Sequence, residues 1–120
     1  MTGFDFIGLQ VRDLARSADF YETHIGLPRG TQRPGAVVFE TTPIPFAVRT
    51  PLPGTDLDAG PAGLGAALWL GVDDPQGLHD RLVADGVEIV RPVAPSPFGL
   101  HFAFRDPDGY VITAHEAQAA

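Results

Sequence analysis

This sequence of 120 residues contains no cysteine and no lysine, and all 8 of its basic residues are arginine. The absence of cysteine excludes disulfide bonds, thiolate metal sites and a cysteine nucleophile. The absence of lysine excludes Schiff-base chemistry and a phosphate-loop lysine. Both absences narrow the chemistry that the side chains can perform.

Positive charge and long apolar runs are also scarce. The 15 acidic residues outnumber the 8 basic ones and give a formal net charge of −7, whereas nucleic-acid binding needs clustered positive charge. The longest uncharged apolar stretch, Ala62 to Val72, is interrupted by glycine and is far shorter than the roughly 18 residues that cross a bilayer. The N-terminal residues do not resemble a secretory signal. We therefore expect a cytoplasmic protein without nucleic-acid or membrane partners.

The first half of the chain has the pattern of one strand, one helix and further strands. Apolar residues alternate with others along residues 4–11, which is typical of a half-buried strand. Asp13 is positioned to cap a helix, and Gly26 is positioned to end it. Two more strands are predicted at residues 36–40 and 46–50.

The second half repeats this order. The segment Leu9 to Asp13 is similar to the segment Leu70 to Asp74 at an offset of 61 residues. A strand, a helix opened by Pro75 and three later strands are predicted again. We therefore expect one domain with this organisation: module one at about 1–50, a Pro/Gly-rich linker at about 51–65 and module two at about 66–120.

Two motifs carry a resemblance to a known family. The segment Phe4 to Leu14, followed by Phe20-Tyr21, is similar to the family's first strand, V-x-D-L helix entry and F-Y pair. Phe98-Gly99 and the segment Phe102 to Ile112, which contains Asp-Pro-Asp-Gly, resemble its closing hairpin. Together with the repeat, they resemble the vicinal oxygen chelate superfamily of glyoxalases, extradiol dioxygenases, and bleomycin and fosfomycin resistance proteins.

The resemblance implies an α+β fold of two βαβββ modules. Their strands would form a curled, cup-shaped mixed sheet with the helices on the outside. It also implies a homodimer and, in many relatives, a divalent metal held inside the cup by His or Glu. The first two of the positions that hold the metal in the family correspond to Phe6 and Ala67, and the closing glutamate corresponds to Thr113.

These three side chains are poor metal ligands, because divalent metals need imidazole or carboxylate donors. We therefore expect no metal and no other cofactor. A rebuilt site would have to draw on other residues, namely His101, His115 and a glutamate, either Glu40 or Glu116.

Strand alternation places several other side chains in the predicted cup. It is lined by residues that suit a small organic ligand, because aromatic and apolar surfaces with a few polar groups are typical of such sites. The glycines leave space, and an arginine could pair with a polar group of a ligand. The candidate ligand-binding residues are Phe6, Gly8, Arg49, Trp69, His101, Thr113 and His115.

Three functions remain open at this point. The first is metal-free binding of a small molecule, as in drug sequestration, with the net acidity favouring a cationic ligand weakly. The second is a lyase, isomerase or dioxygenase of the same superfamily, with a displaced metal site or with His115 as an acid or base. The third is a non-catalytic interaction module. Packing of the aromatic side chains as an ordinary core is the alternative to a ligand pocket.

Overall fold

The computed structural model describes residues 3–117, which form two units, the first ending at Gly60 and the second beginning at Pro61. Each unit contains one βαβββ module with a four-stranded mixed sheet. The predicted α+β class with two such modules is confirmed. The curling of the strands into one cup stays a prediction.

The first unit begins with a strand that pairs in parallel with the last strand of its module, while the other pairs are antiparallel. The strand order is β1-β4-β3-β2. Helix α1 continues without a break as a π-helical segment. The elements are β1 Ile7–Gln10, α1 Leu14–Asp19, the π-helical segment Phe20–Ile25, β2 Arg29–Arg33, β3 Ala36–Phe39 and β4 Phe46–Arg49.

Aromatic packing holds the helix of this unit on its sheet. The ring of Tyr21 lies edge-on to Phe46 with centroids 4.8 Å apart, and Phe46 stacks on Phe39 at 5.8 Å. Such pairs contribute about 0.5–1.5 kcal/mol beyond the area that they bury. Tyr21 lies in the core between helix and sheet, since only 2% of it is exposed.

The second unit has the same topology, with the strand order β5-β8-β7-β6 and a parallel pair of β5 and β8. Helix α2 packs on β6, β7 and β8. The elements are β5 Leu68–Val72, α2 Pro75–Ala84, β6 Ile89–Ser96, β7 Gly99–Arg105 and β8 Val111–Glu116.

The predicted helix signals act as expected in both units. The carboxylates of Asp13 and Asp74 accept hydrogen bonds from the backbone N–H groups of Arg16 and Gly77, which are otherwise unpaired donors at a helix start. Gly26 ends the first helical segment with a φ of 90°, a conformation that favours glycine.

One strand of the first unit was not predicted from the apolar pattern. Instead of two strands after the helix there are three, because Arg29–Arg33 pairs with β3 at the edge of the sheet. Its sequence is polar on both faces, and four of its five residues are exposed. Backbone hydrogen bonding to β3 positions this strand. An alternating apolar pattern therefore cannot predict it.

The Pro/Gly-rich connection is attached to the first unit over its first half. The side-chain carbonyl of Gln10 accepts a hydrogen bond from the Leu52 N–H at 2.7 Å. The Arg12 guanidinium donates to the Leu57 carbonyl at 2.7 Å and to the Asp58 carboxylate at 2.8 Å. Residues 52–58 are therefore tied to the end of β1 and the loop that follows it.

Neither helix among residues 3–117 has both the length and the apolar character needed to cross a membrane.

Candidate functional site

One side of the second sheet packs on α2. The other side carries most of the candidate ligand-binding residues. Phe102 and Phe104 of β7 are fully buried, and the ring of His79 in α2 contacts Phe102 at 5.4 Å. Because side chains alternate along a strand, the odd-numbered residues of β7 and β8 lie on the other side. We call that side the histidine face and define it by Trp69, Arg91, His101, Thr113 and His115.

Two histidines lie directly opposite each other on this face. His101 of β7 pairs with His115 of β8. The pair formed by Ala103 and Thr113 lies two residues further along the same two strands. Directly opposed residues of antiparallel strands have Cβ atoms about 4.5–5.5 Å apart. The two imidazole rings are therefore neighbours.

Each of these imidazoles has a polar atom that lacks a partner. The Nδ1 atoms of His101 and His115 are buried and have no hydrogen bond within the part of the chain that the structure describes. A buried unsatisfied polar group costs about 1–3 kcal/mol, so buried polar atoms are nearly always paired. The pair is a cluster of polar atoms that a ligand could satisfy.

Trp69 borders the histidine pair from β5. Its indole ring contacts the His115 ring edge-on, with centroids 5.5 Å apart, and 60% of the residue is exposed. Gly71, two residues further on, pairs with His115. A Cβ atom built on Gly71 would have only ordinary contacts, at 3.6 Å from Ala117. The surface next to His115 therefore has room beside an exposed aromatic ring.

Arg91 of β6 also belongs to this face, although the sequence pattern does not predict it. Its Nη2 atom donates a hydrogen bond of 2.7 Å to the Thr113 hydroxyl, and only 5% of Thr113 is exposed. The register of β6 against β7 is irregular on both sides of Arg91, so strand alternation could not place it. A basic residue at the end of the apolar run Ile89-Val90 was the one available signal.

The other three candidates belong to the first unit. Phe6 is 49% exposed, and its Cε1 atom lies 3.5 Å from where a Cβ on Gly8 would be. Gly8 pairs with Ala47, and Gln10 pairs with Arg49, so alternation places Arg49 on the same side of that sheet. The Arg49 Nε donates to the Thr50 carbonyl at 3.0 Å. The candidates thus form two groups, one on each sheet.

In the family that this sequence resembles, certain positions hold a divalent metal ion. The residues at those positions in this chain do not fit such an ion. Phe6 and Ala67 have no donor atoms, and the Thr113 hydroxyl already accepts a hydrogen bond from the Arg91 cation. Within residues 3–117, no group of three or more His, Asp or Glu side chains is placed to hold a metal.

The two glutamates considered for a rebuilt site are engaged elsewhere. Glu116 accepts a hydrogen bond from the Leu100 N–H at 3.2 Å. The side chain of Glu40 lies against Gly30 of the edge strand β2. It is so close that a Cβ atom added to Gly30 would overlap the glutamate side chain. Neither carboxylate joins the histidine pair.

A perturbed carboxyl group lies outside this site. Hydrogen bonding to His79 and to Gln76 lowers the pKa of Asp80 below its ordinary value. All three residues belong to α2, which packs on the opposite side of the sheet.

Comparison with solved structures supports the fold. A glyoxalase-related enzyme from Fulvimarina pelagi is 25% identical, with a TM-score of 0.77 and coverage of 97% of this chain and 88% of that one. An antibiotic-binding protein from a Streptomyces species is 22% identical, with a TM-score of 0.79 and coverage of 98% of both chains. A lactoylglutathione lyase from Agrobacterium tumefaciens is 21% identical, with a TM-score of 0.72 and coverage of 97% and 94%.

No curated protein sequence matches the chain closely enough to count as a relative. A family model, however, matches residues 3–113, almost the whole chain. The repeat, the closing hairpin and the two βαβββ modules agree with that match. This chain therefore belongs to the glyoxalase/bleomycin resistance protein/dioxygenase superfamily.

Proposed function

We propose that this protein binds a small organic molecule at the histidine face without using a metal ion. The observation that carries the proposal is the pair of buried, unpartnered Nδ1 atoms of His101 and His115 beside the exposed ring of Trp69. An aromatic surface that surrounds a few unsatisfied polar groups is what a ligand site requires. A bound molecule would cover the indole, and a turn of either imidazole ring would let it form the missing hydrogen bond.

The residues in the metal positions support binding without a metal. Two of them have no lone pair to donate, and the third faces a cation. Sequestration also needs no reacting group, only an enclosed ligand. A solved structure of the same fold is described as an antibiotic-binding protein, so this fold can support binding as a function.

The first test is a thermal-shift screen with planar aromatic and amphipathic compounds. A ligand at one hundred times its Kd stabilises the folded state by about 2.7 kcal/mol, which raises the Tm of a domain of this size by several degrees. We expect Trp69→Ala to reduce this shift strongly. Phe98→Ala is the matched control, because Phe98 is an exposed aromatic residue in the turn between β6 and β7.

The remaining outcomes discriminate between the functions. A screen without any stabilising compound would favour the interaction module. Conversion of a bound compound, detected by mass spectrometry, would favour the enzyme with His115 as its acid or base. Near-stoichiometric zinc, iron, manganese or nickel that survives dialysis of the purified protein would contradict metal-free binding.

We further propose that two chains associate, as the family resemblance implies. Strands β1 and β5 lie at the edges of their sheets, and Leu64 beside β5 is an exposed apolar residue. Light scattering tests this by comparing the mass in solution with the 12.7 kDa of one chain. A cytoplasmic location stays a prediction from the sequence.

A further inference from the structure

We infer that the ligand of the histidine face is an aromatic organic anion, such as an aryl carboxylate, which Arg91 holds by its charge while Trp69 packs on its ring. This inference rests on the proposed function and names the class of molecule bound there. It differs from the expectation drawn from net charge, which weakly favours a cation.

Arg91 is a cation without an anionic partner. Its guanidinium donates to the neutral Thr113 hydroxyl, and no carboxylate among residues 3–117 lies within ion-pair distance of it. Arg105 on the neighbouring strand is instead paired with Glu88 at 2.9 Å. A guanidinium has five N–H donors in a planar arrangement that matches a carboxylate, so Arg91 retains donors for a ligand.

Four carboxylates of the second unit already have partners. Asp74 caps α2, and Asp106 accepts N–H groups in the closing turn. Glu116 accepts a hydrogen bond from the Leu100 N–H. Glu88 is paired with Arg105 at 2.9 Å, and Arg105 lies two residues along β7 from Ala103, the residue that pairs with Arg91. None of these four carboxylates forms an ion pair with Arg91.

Arg91 therefore carries a positive charge that no carboxylate within residues 3–117 neutralises by an ion pair, although the whole chain is acidic. The other charged groups and imidazoles on this side of the sheet are His101 and the Glu88-paired Arg105 on β7, and His115 on β8. A carboxylate bound here would pair with the Arg91 guanidinium.

Calorimetric titration with three naphthalene probes of matched shape tests the inference: 2-naphthoate, neutral 2-naphthamide and cationic 2-naphthylmethylamine. We expect 2-naphthoate to bind at least about tenfold more tightly than the amide, because a hydrogen bond to a charged group contributes about 1.5–3 kcal/mol. The amine should bind most weakly.

Substitution of Arg91 distinguishes the effect of its charge on ligand affinity from the effect of side-chain packing. Arg91→Met should reduce naphthoate affinity by at least about tenfold and remove the preference for naphthoate over the amide. Arg81→Met is the matched control, because Arg81 is exposed on α2, on the other side of the sheet, and it should preserve the preference.

The failures of the two proposals are distinguishable. Equal affinity for naphthoate, amide and amine would overturn the anion inference and leave small-molecule binding intact. An anion preference that persists in Arg91→Met would also overturn it. Absence of heat with all three probes would contradict both the inference and the proposed function.

Discussion

The indole ring of Trp69 meets the imidazole ring of His115 edge-on, with 5.5 Å between the ring centroids. Trp69 is the only tryptophan in the chain, so emission excited selectively at tryptophan reports on the surroundings of this ring. A change at His115, or a molecule that covers the indole, should therefore alter this emission.

We expect His115→Gln to change the tryptophan emission of the ligand-free protein at constant pH, because this variant removes the ring that contacts the indole. His101→Gln should change the emission less, because His101 lies one strand further from Trp69. Steady-state fluorescence measures both. Identical emission from His115→Gln and the unmodified protein would show that this contact does not affect the indole.

Gly71 provides a test of the space beside His115. Its φ is not in the left-handed region, and a Cβ there would meet Ala117 at 3.6 Å. Gly71→Ala should therefore stabilise the protein by about 0.5–1 kcal/mol in urea denaturation, because alanine loses less backbone entropy. Gly71→Leu should keep the fold but prevent ligand binding. Ligand affinity equal to that of the unmodified protein in Gly71→Leu would argue against this location for the site.

Asp106 stabilises the turn that brings β7 and β8 together. Its Oδ1 atom accepts hydrogen bonds from the N–H groups of Asp108 at 3.0 Å and Tyr110 at 2.9 Å. Asp106→Ala should lower the free energy of unfolding by about 1–3 kcal/mol. Asp106→Asn should lose less, since it retains an oxygen at that position. Urea denaturation measures both, and a loss in Asp106→Ala no larger than that in the control Asp73→Ala would refute this role.

Arg12 anchors the connection between the two modules through hydrogen bonds to Leu57 and Asp58. Both charged side chains are solvent-exposed, so Arg12→Ala should change global stability by less than about 1 kcal/mol. In this variant the connection should instead open locally more often. Thermolysin should therefore cleave within residues 51–58 several times faster than in the unmodified protein. Arg16→Ala is the control on the same helix entry. Equal cleavage rates in the two variants would mean that Arg12 does not hold this segment.

Much of the fold could be predicted because its signals are local. Asp13 and Asp74 cap their helices, and Gly109 takes a φ of 96° in the closing turn. These features depend on a few neighbouring residues, which lie side by side in the sequence. Strand β2 could not be found this way, since a polar edge strand is specified by the backbone of its neighbour rather than by an apolar face.

The candidate site was predictable only in part. Alternation along β8 predicts that Thr113 and His115 share one side, and both lie on the side away from the α2-facing core. It could not place Arg91, because the irregular register of β6 determines how far that side chain reaches. That no carboxylate within residues 3–117 forms an ion pair with Arg91 also depends on the tertiary structure, since acidic residues are abundant in the chain.

The two βαβββ modules, the helix ends, the closing turn and the lack of donors at the family's metal positions could all be predicted, because each depends on residue type or on short periodic patterns. The opposed imidazoles of His101 and His115, with their unpartnered nitrogens, and the bond from Arg91 to Thr113 could not be predicted in this way. Those relationships arise from pairing between strands that are distant in sequence, and strand register, which composition does not encode, sets which side chains meet.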